Sequence, residues 1–152
     1  VDCGSGDGTG GAFVHLQLRD DVRTFLEEPR FVVLPTVNVN VSPQQTAMWY
    51  ELRRDTIVMN TRRGCKKDRN LIRDPRASVC IEDEFCCVAL ESNIEIVDDP
   101  AIGQADIAAL ALRYLEPVKA DKMAREEFAL QERVTLVLHV DRADVHGFDG
   151  EE

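Results

Sequence analysis

Long apolar runs are missing from this 152-residue chain; the longest extend only a few residues, too few to span a bilayer. None of its five cysteines forms a C-x-x-C pair, and Cys86 and Cys87 are neighbours, a spacing that strains a disulfide. The three histidines, His15, His139 and His146, are scattered, whereas zinc takes its ligands at short, recognisable spacings; no metal site is expected. No G-x-x-x-x-G-K-S/T occurs, which excludes a P-loop, and the G-x-G-x-x-G match at Gly6, Gly8 and Gly11 lies in the glycine-rich opening with no strand pattern before it, so it is no dinucleotide fingerprint. The opening "VDCGSGDGTGGAF" lacks the basic region and apolar core of a signal peptide. It reads as a disordered tail over residues 1–18, followed by one domain over 19–152. The expectation is a cytoplasmic protein with reduced thiols.

Positive charge is scarce but concentrated. Eighteen Lys and Arg face 28 Asp and Glu, for a net charge of −10. Nine of the cations fall between Arg53 and Arg76, among only three acids, Asp55, Asp68 and Asp74. That segment carries +6 and the remainder −16. An acidic remainder argues against nucleic acid as partner, but leaves room for a smaller anion at the basic segment.

The chain reads as alternating helix and strand signals. "LRDDVRTFLEEPR" places Val22, Phe25 and Leu26 at helical spacing, with Asp20 or Asp21 as cap and Pro29 as stop. "FVVLPTVNV" is a strand in which Pro35 predicts an edge or a bulge. "VNVNVSP" turns the chain without an Asn-Gly or Asp-Gly pair. "QQTAMWYEL" and "TIVMN" are strands joined by "RRD", and Cys65 to Arg73 is a short helix. "RASVCIE", "CCVALESNIEIV" and "RVTLVLHV" add three strands, with "ADVHGF" pairing after the last. "AIGQADIAALALRYLE" is a helix with Ile102, Ala105, Ala109 and Leu112 on one face, widened by Ile107, Leu110, Tyr114 and Leu115. "KADKMAREEFAL" is another. Six or seven strands linked mostly by short turns, with flanking helices, predict an α+β antiparallel barrel.

Within "NTRRGCKKDRN" the helix start offers unpaired N–H groups and partial positive charge. Gly64 permits close approach of a ligand, and Thr61 adds a hydroxyl. Lys66 and Lys67 lie in the first turn, where cations are tolerated best if an anion such as phosphate completes the site. The alternative is a solvated basic face paired with acids such as Glu82, Asp83 and Glu84, worth roughly 0–1 kcal/mol per pair. Both readings stand at this point. A second cluster, "SPQQTAMWYE", sets Gln45, Thr46, Met48, Trp49 and Tyr50 on neighbouring strand positions, the mixture of apolar area and polar rim that a flat ring system requires. Trp49 and Tyr50 point opposite ways, so at least one of them is packing.

"SPQQTAMWYE", "DTIVMNT", "RNLIRDPRASVCIED" and "IEIVDDP" together resemble the split β-barrel flavin and deazaflavin oxidoreductases, the pyridoxamine-phosphate-oxidase-like proteins, and within them the branch binding the deazaflavin coenzyme F-420. The resemblance runs from about Val22 to Phe148. It implies a homodimer of split barrels with a cofactor in each of two grooves at the subunit interface, and hydride transfer to or from an unsaturated or oxidised small molecule. It also implies that the strand of Gln45, Thr46, Ala47, Met48 and Trp49 lines the ring. The segment of Asn60, Thr61, Arg62, Arg63, Gly64, Cys65, Lys66, Lys67 and Asn70 would hold the phosphate-bearing tail, its cations neutralising phosphate and polyglutamate. No protein acid, base or nucleophile stands out; Tyr50 is the nearest proton donor.

Several positions depart from the family pattern. Cys65 stands where members usually carry an arginine for the phosphate, a loss of roughly 1.5–3 kcal/mol in charge-assisted bonding that Lys66 is placed to offset. Pro35, "RRD", "VNVNVSP", "FCC" at 85–87 and Ser92 also differ. Two further readings follow: FMN as the cofactor, or a non-catalytic carrier of deazaflavin, flavin or tetrapyrrole.

Overall fold

The computed structural model describes residues 16–149. The expected tail lies outside them as far as residue 15, but Leu18, at its end, is buried in the core.

Helix α1 (Asp20–Glu27) leads into β1 (Phe31–Val37), β2 (Pro43–Trp49), β3 (Glu51–Arg53) and β4 (Thr56–Arg62). Helix α2 (Lys66–Arg73), β5 (Arg76–Asp83), β6 (Cys86–Val97), α3 (Pro100–Tyr114) and α4 (Pro117–Glu126) follow. A 3-10 turn (Phe128–Leu130) precedes β7 (Arg133–His139) and β8 (Arg142–His146). All pairings are antiparallel, in the order β2-β1-β5-β6-β7-β4-β3. The long β6 joins the halves: Cys87–Glu91 pair with β8, and Ile94–Val97 pair with β7. The sheet curls into an α+β split half-barrel.

Period-two burial fills its interior. Val32 and Leu34, Val79 and Ile81, Val88 and Leu90, and Leu136 and Leu138 all point inward and are buried. β4 differs, because Ile57 through Thr61 are buried without alternation. Its outer face lies beneath α3, so both faces are covered. Gly103 permits this contact: a Cβ there would stand 2.1 Å from the Arg133 carbonyl oxygen. Asp99 caps α3 by accepting from the Ala101 and Ile102 amides, with Pro100 in the first turn.

The described residues form eight strands where six or seven were expected, and four local expectations change. The run "QQTAMWYEL" divides at Tyr50 into β2 and β3. There the Tyr50 amide donates to the Tyr114 hydroxyl, which itself bonds the Tyr50 and Arg30 carbonyls, so a phenol replaces ladder partners. Arg19, which makes no side-chain capping bond, takes the α1 cap position expected of an aspartate. On α3 the buried face is Gly103, Asp106, Ile107, Leu110 and Ala111, while Ile102 and Leu112 are exposed. Asp106 explains the rotation, since its carboxylate accepts from Thr135 and pairs with Arg53. The helix expected to reach Leu130 stops at Glu126 and tightens into the 3-10 turn. Pro35 pairs with Gln45 on one side, beyond the two positions at which β1 meets β5, which agrees with an edge position.

Candidate functional site: a cationic groove at the barrel edge

A groove of about 450 Å³ runs across β2, β4 and the start of α2, closed by α3, α4, the 3-10 turn and the start of β7. It brings together Thr46, Ala47, Met48, Trp49, Asn60, Thr61, Arg62, Cys65 and Lys67. Its apolar wall adds Ile107, Leu110, Met123 and Phe128, none of which the sequence offered as a site residue. Trp49 stacks on Tyr114 with centroids 5.4 Å apart and planes 8° apart, so one face of the indole is already covered.

The other candidates lie elsewhere. Gln45 is exposed on β2 outside the groove. The Gly64 amide, in a left-handed conformation at φ 78°, donates to the Asp68 carboxylate at 2.7 Å. Arg63 pairs with buried Asp68 and with Asp98, which holds its guanidinium above the ordinary range. A carboxylate of the protein itself therefore already sits at the loop that leads into α2. Lys66 faces a separate concavity with Asn38, Asn40, Arg69 and Arg73. Buried Asn70 donates to Thr36 and Asn38 and fastens α2 to β1. Tyr50 is fully buried, its hydroxyl donating to the Leu26 carbonyl, and burial pushes its phenol up to about 12. Facing away from the groove, it is no proton donor there.

Unpaired cations beside an apolar, aromatic wall distinguish this groove from the other concavities. Arg62, Lys67 and Arg133 line it against one acid, Glu127. None of these three cations makes an ion pair with a carboxylate among the described residues. The nearest partner of Lys67 is the Thr61 hydroxyl at 3.4 Å, and that oxygen lies 3.2 Å from the Cys65 sulfur. Arg133 was absent from the sequence reading. It opens an apolar strand, and nothing local indicates that β7 sets it opposite Arg62. A concavity of about 560 Å³ beside β1 and β5 instead mixes Asp74, Glu91 and Asp141 with Arg76 and Arg142, and both arginines are paired with aspartates. The Lys66 concavity is basic, but its lining contains no aromatic side chain.

Among the described residues, no cluster of three or more metal-ligating side chains is present, and no helix is long and apolar enough to cross a membrane. The free thiols include Cys80 and Cys87, whose sulfurs lie 3.3 Å apart across β5 and β6.

Comparison with known proteins identifies the architecture. The chain aligns with conserved hypothetical protein Rv2991 from Mycobacterium tuberculosis at 24% identity, covering 91% of this chain and 89% of that one, with a TM-score of 0.71. An F-420 reductase aligns at 25% identity over 80% of this chain and 94% of its own, with a TM-score of 0.64. HutZ, the heme storage protein from Vibrio cholerae, shares the fold at 17% identity, with coverages of 88% and 97% and a TM-score of 0.65. No curated protein matches. The family model described as pyridoxamine 5'-phosphate oxidase matches residues 18–147, and the chain belongs to that family.

Proposed function

We propose that this protein is an oxidoreductase using the deazaflavin coenzyme F-420, bound in the cationic groove. The observation that carries this reading is the groove's composition: three cations without carboxylate partners, in a chain of net charge −10, beside an apolar wall. Three cations gathered in one groove repel one another. An anionic ligand with a flat ring offsets that repulsion, and the volume lies within the range of small-molecule sites. Similarity to an F-420 reductase supports the deazaflavin over FMN.

When bound, the coenzyme supplies hydride transfer to or from an unsaturated or oxidised small molecule. The protein's part is to bind, orient and exclude water. Met48, Leu110 and Phe128 offer apolar surface to the ring, while Thr46 and Asn60 supply polar groups at the rim. Arg62, Lys67 and Arg133 attract the anionic tail. The reading includes a homodimer, with each groove completed by a second copy. Phe31, 59% exposed at the groove's rim, supports it by leaving apolar area for that copy to cover. It also retains the cytoplasm as the compartment, where the thiols stay reduced. A carrier of tetrapyrrole is less well supported, because neither His139 nor His146 lines the groove.

The test is turnover: reduced F-420 is mixed with the protein and a panel of quinones and enones, and coenzyme oxidation is followed by absorbance. Protein-dependent oxidation with at least one acceptor is expected. Tight coenzyme binding with no turnover across the panel would instead identify a carrier.

A further inference from the structure

We infer that Arg133, set opposite Arg62, is the principal anion-binding residue of the groove, forming a phosphate-type seat on the edge of β4 and β7 and not at the start of α2. The inference rests on the coenzyme reading above and names the side chains that would grip its charged part.

Three observations converge on it. Beside the α2 start, the usual place for a phosphate, a buried carboxylate already sits: Asp68 takes the Gly64 amide and Arg63. Lys66, which the sequence offered as the replacement for the cation missing at Cys65, lies in another concavity. Arg133 has the properties that Lys66 lacks. It lines the groove, and its guanidinium stands over the Phe128 ring at 5.1 Å. The Cys65 sulfur lies within its electrostatic surroundings.

The bonds made by Arg133 hold it without neutralising it. Its Nε donates to the Asn60 side-chain oxygen at 2.9 Å, and Nη1 donates to that of Gln131 at 2.7 Å. Both acceptors are uncharged. Asn60 is fixed in turn, donating to the Gly103 carbonyl at 2.9 Å. The result is a guanidinium with a set orientation and no ion-pair partner among the described residues. Burial is the main influence against its ionisation and the facing Arg62 adds to it, while Cys65 and the Glu127 carboxylate offset part of that. A bound anion relieves both penalties, and a guanidinium's planar fork matches phosphate oxygens in pairs. The seat therefore favours phosphate and its esters over monodentate anions such as chloride.

Trp49, the only tryptophan, lines the same groove and reports on it directly. Its fluorescence is titrated with inorganic pyrophosphate, then with oxidised F-420, in the full chain and in three variants. Saturable responses are expected for the wild type. Arg133→Gln should weaken both by about 10- to 100-fold, Arg133→Lys by less, and Arg69→Gln, on the outer face of α2, not at all. Should Arg133→Gln fail to fold, Arg62→Gln must show a loss of at least tenfold instead. Pyrophosphate binding that depends on Arg133 without F-420 binding would leave the seat standing and overturn the coenzyme reading. F-420 binding indifferent to both arginines would overturn the seat alone. No response to either ligand would overturn both.

Discussion

Arg62 and Arg133 stand directly opposite one another on adjacent antiparallel strands, at the end of the register in which Thr61 pairs with Val134. Like charges in that relation repel, and neither side chain meets a carboxylate among the described residues. The β4–β7 register thus brings two cations together at one end of the pairing. The groove's apolar wall is assembled separately, from α3, α4 and the 3-10 turn packed as a second small core around Ile107, Ala111, Ala120 and Phe128.

The joint between these parts is Gly103. Substitution by alanine would drive a methyl group into the Arg133 carbonyl, 2.1 Å away, and α3 must move to relieve it. Gly103→Ala should lower stability by about 1–3 kcal/mol in urea unfolding and weaken ligand binding, because the Asn60 bond to the Gly103 carbonyl shifts with the helix. An unchanged midpoint would show that α3 is not held so closely.

Tyr114 locks the break between β2 and β3. Removing its hydroxyl leaves the Tyr50 amide without that acceptor, at a cost of about 1–3 kcal/mol. Tyr114→Phe should show this in denaturant melts while keeping its ring stacked on Trp49. A change within a few tenths of a kcal/mol would mean that the backbone groups find other partners.

How much of this was legible in the sequence depends on the range of the interaction. Helix and strand positions came from local patterns: Val22 and Leu26 one turn apart, the alternation of Val32 and Leu34, and the apolar run of β7. The Tyr50 break was hidden because its cause lies 64 residues away at Tyr114. The α3 face was misjudged because Asp106 reads as solvent-facing until Thr135 and Arg53 are brought to it. Lys67, Thr61 and Trp49 were recognisable as site candidates from motif and composition. Arg133 was not, since its meaning comes from the β4–β7 register. Asp68 was likewise silent, being one acid in a basic stretch until the fold buries it against Gly64.

The buried phenol of Tyr50 gives a pH signature. Burial is the largest cause of its rise from 10 to about 12, with neighbouring Tyr114 next. A group whose folded value is raised contributes stability that is present below its unfolded value, and this contribution is lost as pH climbs through the folded one. Unfolding free energy should therefore decline between about pH 10 and 12, and the decline should shrink in Tyr50→Phe. Ultraviolet titration should show a late-ionising tyrosine that vanishes in the same variant; its persistence would assign it elsewhere.

Lys67 separates binding from folding. Among the described residues its ammonium has only the Thr61 hydroxyl at 3.4 Å as partner, so Lys67→Ala should leave the ligand-free melting temperature almost unchanged. At saturating F-420 the variant should melt lower than the wild type, because the stabilisation conferred by a ligand scales with the logarithm of its affinity. An equal drop in both conditions would make Lys67 structural.

The most direct measurement is equilibrium titration of the purified protein with oxidised F-420, reading coenzyme absorbance and Trp49 fluorescence together. Both signals should saturate with one midpoint below about 100 μM and weaken as salt rises. Flat signals over that range, or a response unaffected by salt, would contradict an anionic coenzyme held by the groove.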